Sequence, residues 1–337
     1  MNNFYSQPEN YFTRWLEKPL ARAAHDHAVI VLTGARQVGK STLLRRAQPF
    51  ASWRYHTLDD YDTLRLARND PRALWAGANE IVLDEVQKAP ELLMAIKQTV
   101  DEQPGRYHFM LSGSANPALL RSVSESLAGR AVYFTLHPMT WGEEQRAPQS
   151  DILMRLLAGD WPAEGNLSAD PPTPFLLLQR GTMPPLLALT SSEAWMRWWE
   201  GYVATYLERD VRQLSQVADL LDLRRLMELA ALRCAQVVNQ SELARDAGLS
   251  QATTHRYLNI LEATYLYQRL SAYIASRSAR LVKSPKGFWA DPALAAYLAG
   301  YFDATSLRQA RELGAFYETL LYQHLRAQAE LLTPRAR

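Results

Sequence analysis

Residues 34–42 combine glycine, lysine and hydroxyl side chains at a spacing that can bind a polyphosphate. They read GARQVGKST, which fits G-x-x-x-x-G-K-[ST], between an apolar run typical of a strand and a segment typical of a helix. The glycines let backbone N–H groups approach phosphate oxygens, and the helix adds its positive N-terminal end. We therefore predict that these residues bind a nucleotide: Gly34, Ala35, Arg36, Gln37, Val38, Gly39, Lys40, Ser41 and Thr42.

Two side chains of this loop have predicted roles of their own. Lys40 places a positive charge near the β- and γ-phosphates, so we assign it to the catalytic set, and the Ser41 hydroxyl can coordinate Mg²⁺. The simpler alternative is a glycine turn with a surface lysine. The strand–loop–helix context favours phosphate binding, and ATP and Mg²⁺ are the predicted cofactors.

An acidic pair follows a second apolar run, IVLDEV, at residues 81–86. The carboxyl ends of parallel strands face the crevice where ligands bind, so Asp84 is predicted to hold Mg²⁺ together with Ser41. Glu85 is predicted to act as general base on the attacking water. Taken alone, two carboxylates that cap a strand would be the simpler explanation. The nearby phosphate loop favours the catalytic roles of Asp84 and Glu85.

The order of segments favours an ATPase over a GTPase. A strand-like segment, residues 53–60, lies along the chain between the phosphate loop and the acidic strand. Such an additional strand, with a glutamate next to the aspartate, is typical of the ATPase branch of P-loop proteins. The sequence has no N-K-x-D base-recognition motif.

Two further residues are catalytic candidates. Ser114 follows the apolar run YHFMLSG, and it or the neighbouring Ser112 could contact the γ-phosphate or the attacking water. An ordinary polar turn is the alternative. Arg130 could stabilise charge on the transferring phosphoryl group, either in its own site or in that of a neighbouring subunit. The alternative for Arg130 is a surface ion pair.

Five apolar runs that alternate with helix-like segments must position these residues. They begin near residues 28, 53, 80, 107 and 131 and predict a doubly wound α/β domain over 1–145. A proline-rich stretch, 146–190, is the predicted connector. Residues 191–337 are mainly helical, with a predicted short strand pair in 271–290.

A winged helix is predicted at about 230–290. Ser241 and Ser250 are the expected caps of two helices that flank a turn at Gly248. The predicted polar face of the second helix comprises Gln251, Thr253, Thr254, His255 and Arg256. Residues 269–290 contain five basic side chains and no acid, which suits a DNA backbone. Winged helices also serve as interaction units, so DNA, a protein partner and a homo-oligomer all stay open.

Composition narrows the class of protein without naming a partner. The chain has 337 residues, 47% of them hydrophobic and 21% charged, and a net charge of +2, which is typical of a globular protein. Its single cysteine, Cys234, excludes a disulfide within the chain. The N-terminus lacks the apolar core of a signal peptide, and the apolar runs are too short to span a bilayer. We expect a soluble cytoplasmic protein that does not engage a membrane.

The motifs together resemble those of prokaryotic AAA-like ATP-binding proteins in which a P-loop domain is joined to an uncharacterised C-terminal domain. The matching stretches include GARQVGKSTLL, IVLDEVQKAPELL, ESLAGR, RGTMPPLL and RLVKSPKGFWADPALAAYL. The resemblance implies an AAA-like fold with the roles given above for Lys40, Ser41, Asp84 and Glu85. Many members continue into a region resembling a restriction-nuclease core. Residues after 300 contain four acids and no E-x-K, so we expect no nuclease activity from them.

The leading hypothesis is a Mg²⁺-dependent ATPase that couples its nucleotide state to a C-terminal winged helix acting on DNA or another partner. One alternative is a nucleotide-gated binding module without catalysis, and a second is a DNA-binding regulator with a structural ATP site. Glu85 favours the ATPase because a switch that only binds nucleotide needs no general base.

Overall fold

The computed structural model describes residues 11–113, 127–149, 151–160, 174–205, 220–273 and 283–332. The chain forms two compact units. The first comprises residues 1–149 and 327–337, and the second comprises 150–326. The division differs from the predicted one, because part of the proposed connector 146–190 belongs to the second unit.

The first unit is built on a five-stranded parallel sheet, as predicted. All five apolar runs form strands: β1 Val29–Thr33, β2 Arg54–Thr57, β3 Glu80–Asp84, β4 His108–Ser112 and β5 Ala131–Thr135. Their order in the sheet is β2-β3-β4-β1-β5. Alternate residues of the three central strands, among them Val31, Leu83 and Leu111, are fully buried in one apolar core. Strands covered on both faces need continuous apolar sequences, which explains why they are recognisable.

Five helices accompany the strands in the described part of this unit: one precedes β1, three lie between successive strands, and one follows β5. They are α1 Glu17–Asp26, α2 Lys40–Arg46, α3 Tyr61–Asn69, α4 Leu92–Glu102 and α5 Trp141–Glu144, with 3₁₀ turns at Phe50–Ser52, Pro71–Trp75 and Val86–Lys88. Side-chain caps fix several of their starts. The Asp60 carboxylate accepts from the Thr63 N–H, and Thr140 forms a capping box with Glu143.

Strand β4 separates β1 from β3 in the sheet, although β2 lies between them along the chain. Residues 53–60 form the edge strand β2, and β4 lies between β1 and β3. Leu83 pairs with Leu111 and Leu32 pairs with Ser112, so Asp84 and Ser112 occupy the same row across the sheet. At about 4.8 Å between neighbouring strands, β1 and β3 lie about 10 Å apart. The carboxyl end of β4 therefore lies between the phosphate loop and the acidic pair.

The second unit is mainly helical. Its helices are α6 Ile152–Leu157, α7 Pro174–Arg180, α8 Ser192–Thr205, α9 Leu220–Leu232, α10 Gln240–Ala247, α11 Gln251–Ala263, α12 Pro292–Leu298, α13 Ala304–Arg308 and α14 Leu313–Ala329, with a 3₁₀ turn at Pro184–Ala188. Helix α14 continues past residue 326 into the residues of the first unit. The two strands, β6 Tyr267–Leu270 and β7 Lys286–Trp289, pair antiparallel.

A buried carboxylate joins two segments of this unit that are 109 residues apart in the sequence. Asp291 accepts hydrogen bonds from the Thr182 N–H at 2.7 Å and the Thr182 hydroxyl at 2.8 Å, and from the Ala293 N–H at 2.8 Å. Burial raises the pKa of Asp291. These contacts hold the segment after α7 against the start of α12.

The predicted strand pair in 271–290 is wrong in its first member. Strand β6 begins at Tyr267, inside the span predicted as helix. Helix α11 ends at Ala263, and Tyr265 adopts a left-handed conformation with φ 60° that stops it. The buried Tyr267 ring then packs edge-on against Trp289 of β7, with centroids 5.5 Å apart. A contact of this kind over 22 positions cannot be read from local periodicity.

The helix pair at α10 and α11 has the predicted order with a different first cap. Asn239, not Ser241, accepts from the Glu242 N–H at the start of α10, whereas Ser250 caps α11 as predicted. Gly248 supplies the turn with φ 69°. Thr254 is fully buried, so it does not belong to the polar face on which Gln251 is exposed.

No helix within the described ranges is both long and apolar enough to cross a membrane.

Candidate nucleotide-binding site

The phosphate loop connects the carboxyl end of β1 to the first residue of α2. It turns through three positive φ angles: 142° at Gly34, 65° at Gln37 and 95° at Gly39. The side chains of Ala35 and Val38 are buried, so only their backbone groups can face a ligand. Arg36 is half-buried, and so are Ser41 and Thr42 in the first turn of α2. No side chain caps α2, so its first amides remain donors.

Gly34 is required by a close approach as well as by its backbone angle. A Cβ at this position would lie 2.3 Å from the carbonyl oxygen of Leu136, which follows β5. The loop at Gly34 therefore packs directly against the backbone that follows β5.

We expect Gly34→Ala to lower the free energy of unfolding by about 1–3 kcal/mol and to distort the loop, because neither backbone can move cheaply. Urea denaturation would measure the loss. Gly105→Ala is the control, since Gly105 also has a positive φ, 76°, yet nothing lies within 4 Å of its added Cβ. Equal losses in the two variants would show that the Leu136 contact is unimportant.

Lys40 is folded over the loop. Its side chain is buried, and Nζ donates to the Gly34 carbonyl at 3.0 Å and to the Ala35 carbonyl at 2.9 Å. The ammonium group is thus held against the backbone of the loop. Phosphate oxygens can replace the two carbonyls as its acceptors.

The acidic pair lies at the carboxyl end of β3, at the same edge of the sheet as the loop. Asp84 is only 2% exposed, and Glu85 adopts a left-handed conformation with φ 60°. Burial raises the pKa of Glu85, and the charge of Asp84 raises it further, while the charge of Lys40 lowers it. Gln87 donates a hydrogen bond to the Glu85 carboxylate.

Tyr55 is a functional candidate that the sequence analysis missed. From the edge strand β2 its hydroxyl donates to Asp84 Oδ2 at 2.6 Å. Burial and the charge of Asp84 raise the pKa of Tyr55, so the phenol keeps its proton and donates it. The Arg45 guanidinium, on α2, lies 4.4 Å from the centre of the Tyr55 ring. A tyrosine in a weakly apolar strand gives no local signal of this contact.

The Asp84 carboxylate fits a divalent cation. Oδ2 accepts from Tyr55, and Oδ1 accepts from the Glu85 N–H at 3.1 Å. A carboxylate has about four lone-pair sites, so oxygen lone pairs remain for a metal or its water. Ser41 and Asp84 would be the protein ligands.

Ser112 ends β4 between the loop and the acidic pair. It is fully buried, and its hydroxyl has no hydrogen-bond partner among the described residues. Ser114, the residue assigned to this role from the sequence, lies outside the described residues.

The structure does not bring Arg130 to the loop. Arg130 precedes β5, and Ala131 pairs with Val29 at the amino end of β1. The loop follows the other end of β1, about 16 Å away along a five-residue strand. Arg130 instead pairs with Asp101, with its Nη2 2.9 Å from Oδ2. This is the surface ion pair considered as the alternative, so a catalytic role for Arg130 would require a neighbouring subunit.

Comparisons with known proteins agree with this geometry. Residues 26–144 match the model of an AAA domain, and residues 175–305 match a domain of unknown function (DUF8612). Uncharacterised proteins of Mycobacterium bovis and Mycobacterium tuberculosis are each 32% identical over 317 residues. The alignments cover 94% of this chain, which spans 65% of the length of these relatives.

A solved structure supports the fold. The Walker-type ATPase PABY2304 of Pyrococcus abyssi aligns over 86% of this chain and 96% of its own, with a TM-score of 0.51 and 16% identity. At that identity the likeness concerns the fold alone. Residues 26–144 are therefore similar to AAA domains in sequence and share the fold of a P-loop ATPase, and residues 175–305 are similar to a domain of unknown function.

Proposed function

We propose that this protein binds Mg²⁺·ATP, hydrolyses it, and couples its nucleotide state to the second unit. The observation that carries the proposal is that the phosphate loop with Lys40 and the Asp84–Glu85 pair follow the carboxyl ends of parallel strands, at one edge of the same sheet. Phosphate binding, metal binding and a general base are the three parts that ATP hydrolysis requires. The match to an AAA domain over residues 26–144 supports the same activity.

Each residue has a distinct proposed role. The backbone amides of the loop and the Lys40 ammonium group bind the phosphates, and Ser41 and Asp84 hold the metal. Bound Mg²⁺ would neutralise phosphate charge. Glu85 accepts a proton from the attacking water, and the release of Gln87 from its carboxylate would free it to do so.

Ser112 is the better-supported candidate for contact with the γ-phosphate or the attacking water. It lies in the same row as Asp84, and its buried hydroxyl finds no acceptor or donor in the described part of the chain. Buried polar groups are nearly always hydrogen-bonded, so a hydroxyl of this kind beside a ligand site suits a ligand contact.

The second unit contains the elements expected of a winged helix. Helices α9, α10 and α11 precede the antiparallel pair β6–β7, and Val237 forms an additional bridge to Lys286. We infer that residues 220–289 form a winged helix and that this winged helix responds to the nucleotide state.

The described contacts weaken the DNA hypothesis. Arg269 pairs with Glu262 of α11, and Lys286 pairs with Glu318 of α14. Two basic residues of this stretch therefore form ion pairs with glutamates of α11 and α14. These ion pairs lower the attraction of the stretch for a phosphate backbone. A protein partner or a second copy of the chain is an equal candidate.

An ATPase assay on wild-type protein of known oligomeric state tests the proposal. We expect Mg²⁺-dependent release of phosphate from ATP, which EDTA abolishes. The assay is repeated with duplex DNA at low and high salt. Stimulation that disappears at high salt would support coupling to DNA. An unchanged rate would exclude coupling of the ATPase to DNA, and the proposed ATP hydrolysis would stand. ATP binding without turnover in multiple- and single-turnover assays would favour the non-catalytic module.

Tyr55→Phe tests how Asp84 is oriented. The variant keeps the ring and loses the hydroxyl that donates to Asp84, and loss of such an outer contact typically weakens metal binding by about 10-fold or more. We expect ATP affinity in EDTA to stay the same while the Mg²⁺ concentration for half-maximal activity rises. Tyr61→Phe, at an exposed tyrosine, is the control. A normal Mg²⁺ requirement in Tyr55→Phe would remove Tyr55 from the site.

A further inference from the structure

A buried ion pair lies directly behind the phosphate loop. Arg14, from the segment before α1, is 5% exposed, and Glu143, from α5, is 4% exposed. Arg14 Nε donates to Glu143 Oε1 at 3.1 Å. Charged side chains are almost never buried to this degree unless each is paired, so the pair has a specific place in the fold.

The other donors of Arg14 point at backbone carbonyls. Nη1 donates to the carbonyl of Val38, in the loop, at 2.8 Å, and Nη2 donates to that of His137 at 2.7 Å. One planar guanidinium thus joins the phosphate loop, the segment after β5 and α5. A guanidinium can serve three acceptors at fixed angles, whereas an ammonium group acts as a point charge.

Glu143 is itself fixed from several sides. Its Oε1 also accepts from the Trp15 N–H at 2.9 Å, and its Oε2 accepts from the Thr140 N–H at 2.8 Å. The Trp15 ring packs so closely on Gly142 that an added Cβ there would lie 2.5 Å from it. The segment carrying Arg14 is therefore packed and hydrogen-bonded against α5.

We propose that Arg14 is a positioning residue for phosphate binding, because it fixes the orientation of the Val38–Gly39 peptide. In a planar trans peptide the C=O and N–H bonds point in opposite directions. When Arg14 holds the Val38 carbonyl, the Gly39 N–H is directed away from Arg14, toward the inner side of the loop. Gly39, with φ 95°, has the backbone freedom to take the other orientation, so an external constraint is needed.

The inference rests on the proposed function, since it concerns how the same loop binds phosphate. It predicts that Arg14 contributes to affinity beyond its contribution to folding. A preorganised donor loses no affinity to reorientation when the phosphate arrives.

The experiment must remove the guanidinium without leaving a buried charge alone, because such a charge destabilises a protein strongly. Arg14→Met combined with Glu143→Gln does this. Glutamine suits the N3 position of a capping box as glutamate does, so the helix start is retained. Arg14→Lys is the second variant and keeps a positive charge beside Glu143. Arg22→Gln, at an exposed arginine on α1, is the control.

We would measure the Kd of ADP in EDTA by calorimetry, together with the melting temperature and the backbone amide spectrum. We expect the Kd to rise at least about 10-fold in the double variant and several-fold in Arg14→Lys, with no change in Arg22→Gln. The Gly39 amide signal should shift on ADP binding in the wild type and shift less in both Arg14 variants. A purely structural role would lower the melting temperature and leave the affinity of the folded fraction unchanged.

The outcomes separate the two proposals. If the wild type binds ADP and either folded Arg14 variant binds it equally well, Arg14 has no positioning role and the proposed function stands. If the wild type binds neither ADP nor Mg²⁺·ATP, the proposed function itself is wrong, and the positioning role falls with it.

Discussion

Lys40→Ala is expected to abolish ATP binding at physiological nucleotide concentrations, or to lower turnover by at least about 100-fold. Removal of one preorganised charge or donor from such a site typically has an effect of this size. The phosphates lose the ammonium partner that the Gly34 and Ala35 carbonyls hold at the loop.

Nucleotide affinity and turnover would be measured separately, with the melting temperature as a check on folding. Lys18→Ala is the matched control, because Lys18 is an exposed lysine of the same unit, on α1. We expect Lys18→Ala to behave as the wild type. A Lys40→Ala variant that turns over ATP normally would show that the loop is not the site.

Glu85→Gln is expected to keep ATP binding and lose hydrolysis by about 10²–10⁴-fold, the usual contribution of a general base. Glutamine has nearly the shape of glutamate and cannot accept the proton of the attacking water. Since burial and Asp84 both disfavour the charged form of Glu85, a neutral amide at this position should not destabilise the fold.

The measurement is a pair of assays, ATP binding at equilibrium and a single-turnover hydrolysis rate. Glu80→Gln provides the control, since Glu80 lies on the same strand, β3, at its exposed amino end. Normal hydrolysis in Glu85→Gln would assign the base elsewhere. Loss of ATP binding in this variant would instead indicate that Glu85 holds the nucleotide or its metal.

Several parts of the site could be predicted because their signals are local. The loop of residues 34–42 is defined by glycine spacing and by its position between a strand and a helix. Asp84 and Glu85 were recognisable because they end a continuous apolar run, which is how a strand buried on both faces must read. The parallel sheet then follows from the alternation of such runs with helices.

Other parts depended on contacts between distant positions. Tyr55 meets Asp84 over 29 residues, and Arg14 meets Glu143 over 129. Neither pair has a spacing or periodicity that a sequence reveals. The same is true of Arg130, whose contact with Asp101 over 29 residues is visible only in the fold.

The second unit shows the same division between local and distant effects. The turn at Gly248 and the cap at Ser250 were correct, because both depend on a residue and its near neighbours. The basic character of residues 269–290 was a property of the sequence that tertiary contacts partly cancelled, through Glu262 and Glu318.

By itself the sequence determined the five strands of the first unit, the phosphate loop and the residue types available to it, since these follow from local backbone preference and the burial of continuous apolar runs. Only the tertiary structure decided that β4 separates the loop from Asp84, that Ser112 lies between them, and that Arg14 holds the loop from behind. Strand order and long-range hydrogen bonds arise from packing the whole chain, and a buried charge finds its partner only when both segments have folded.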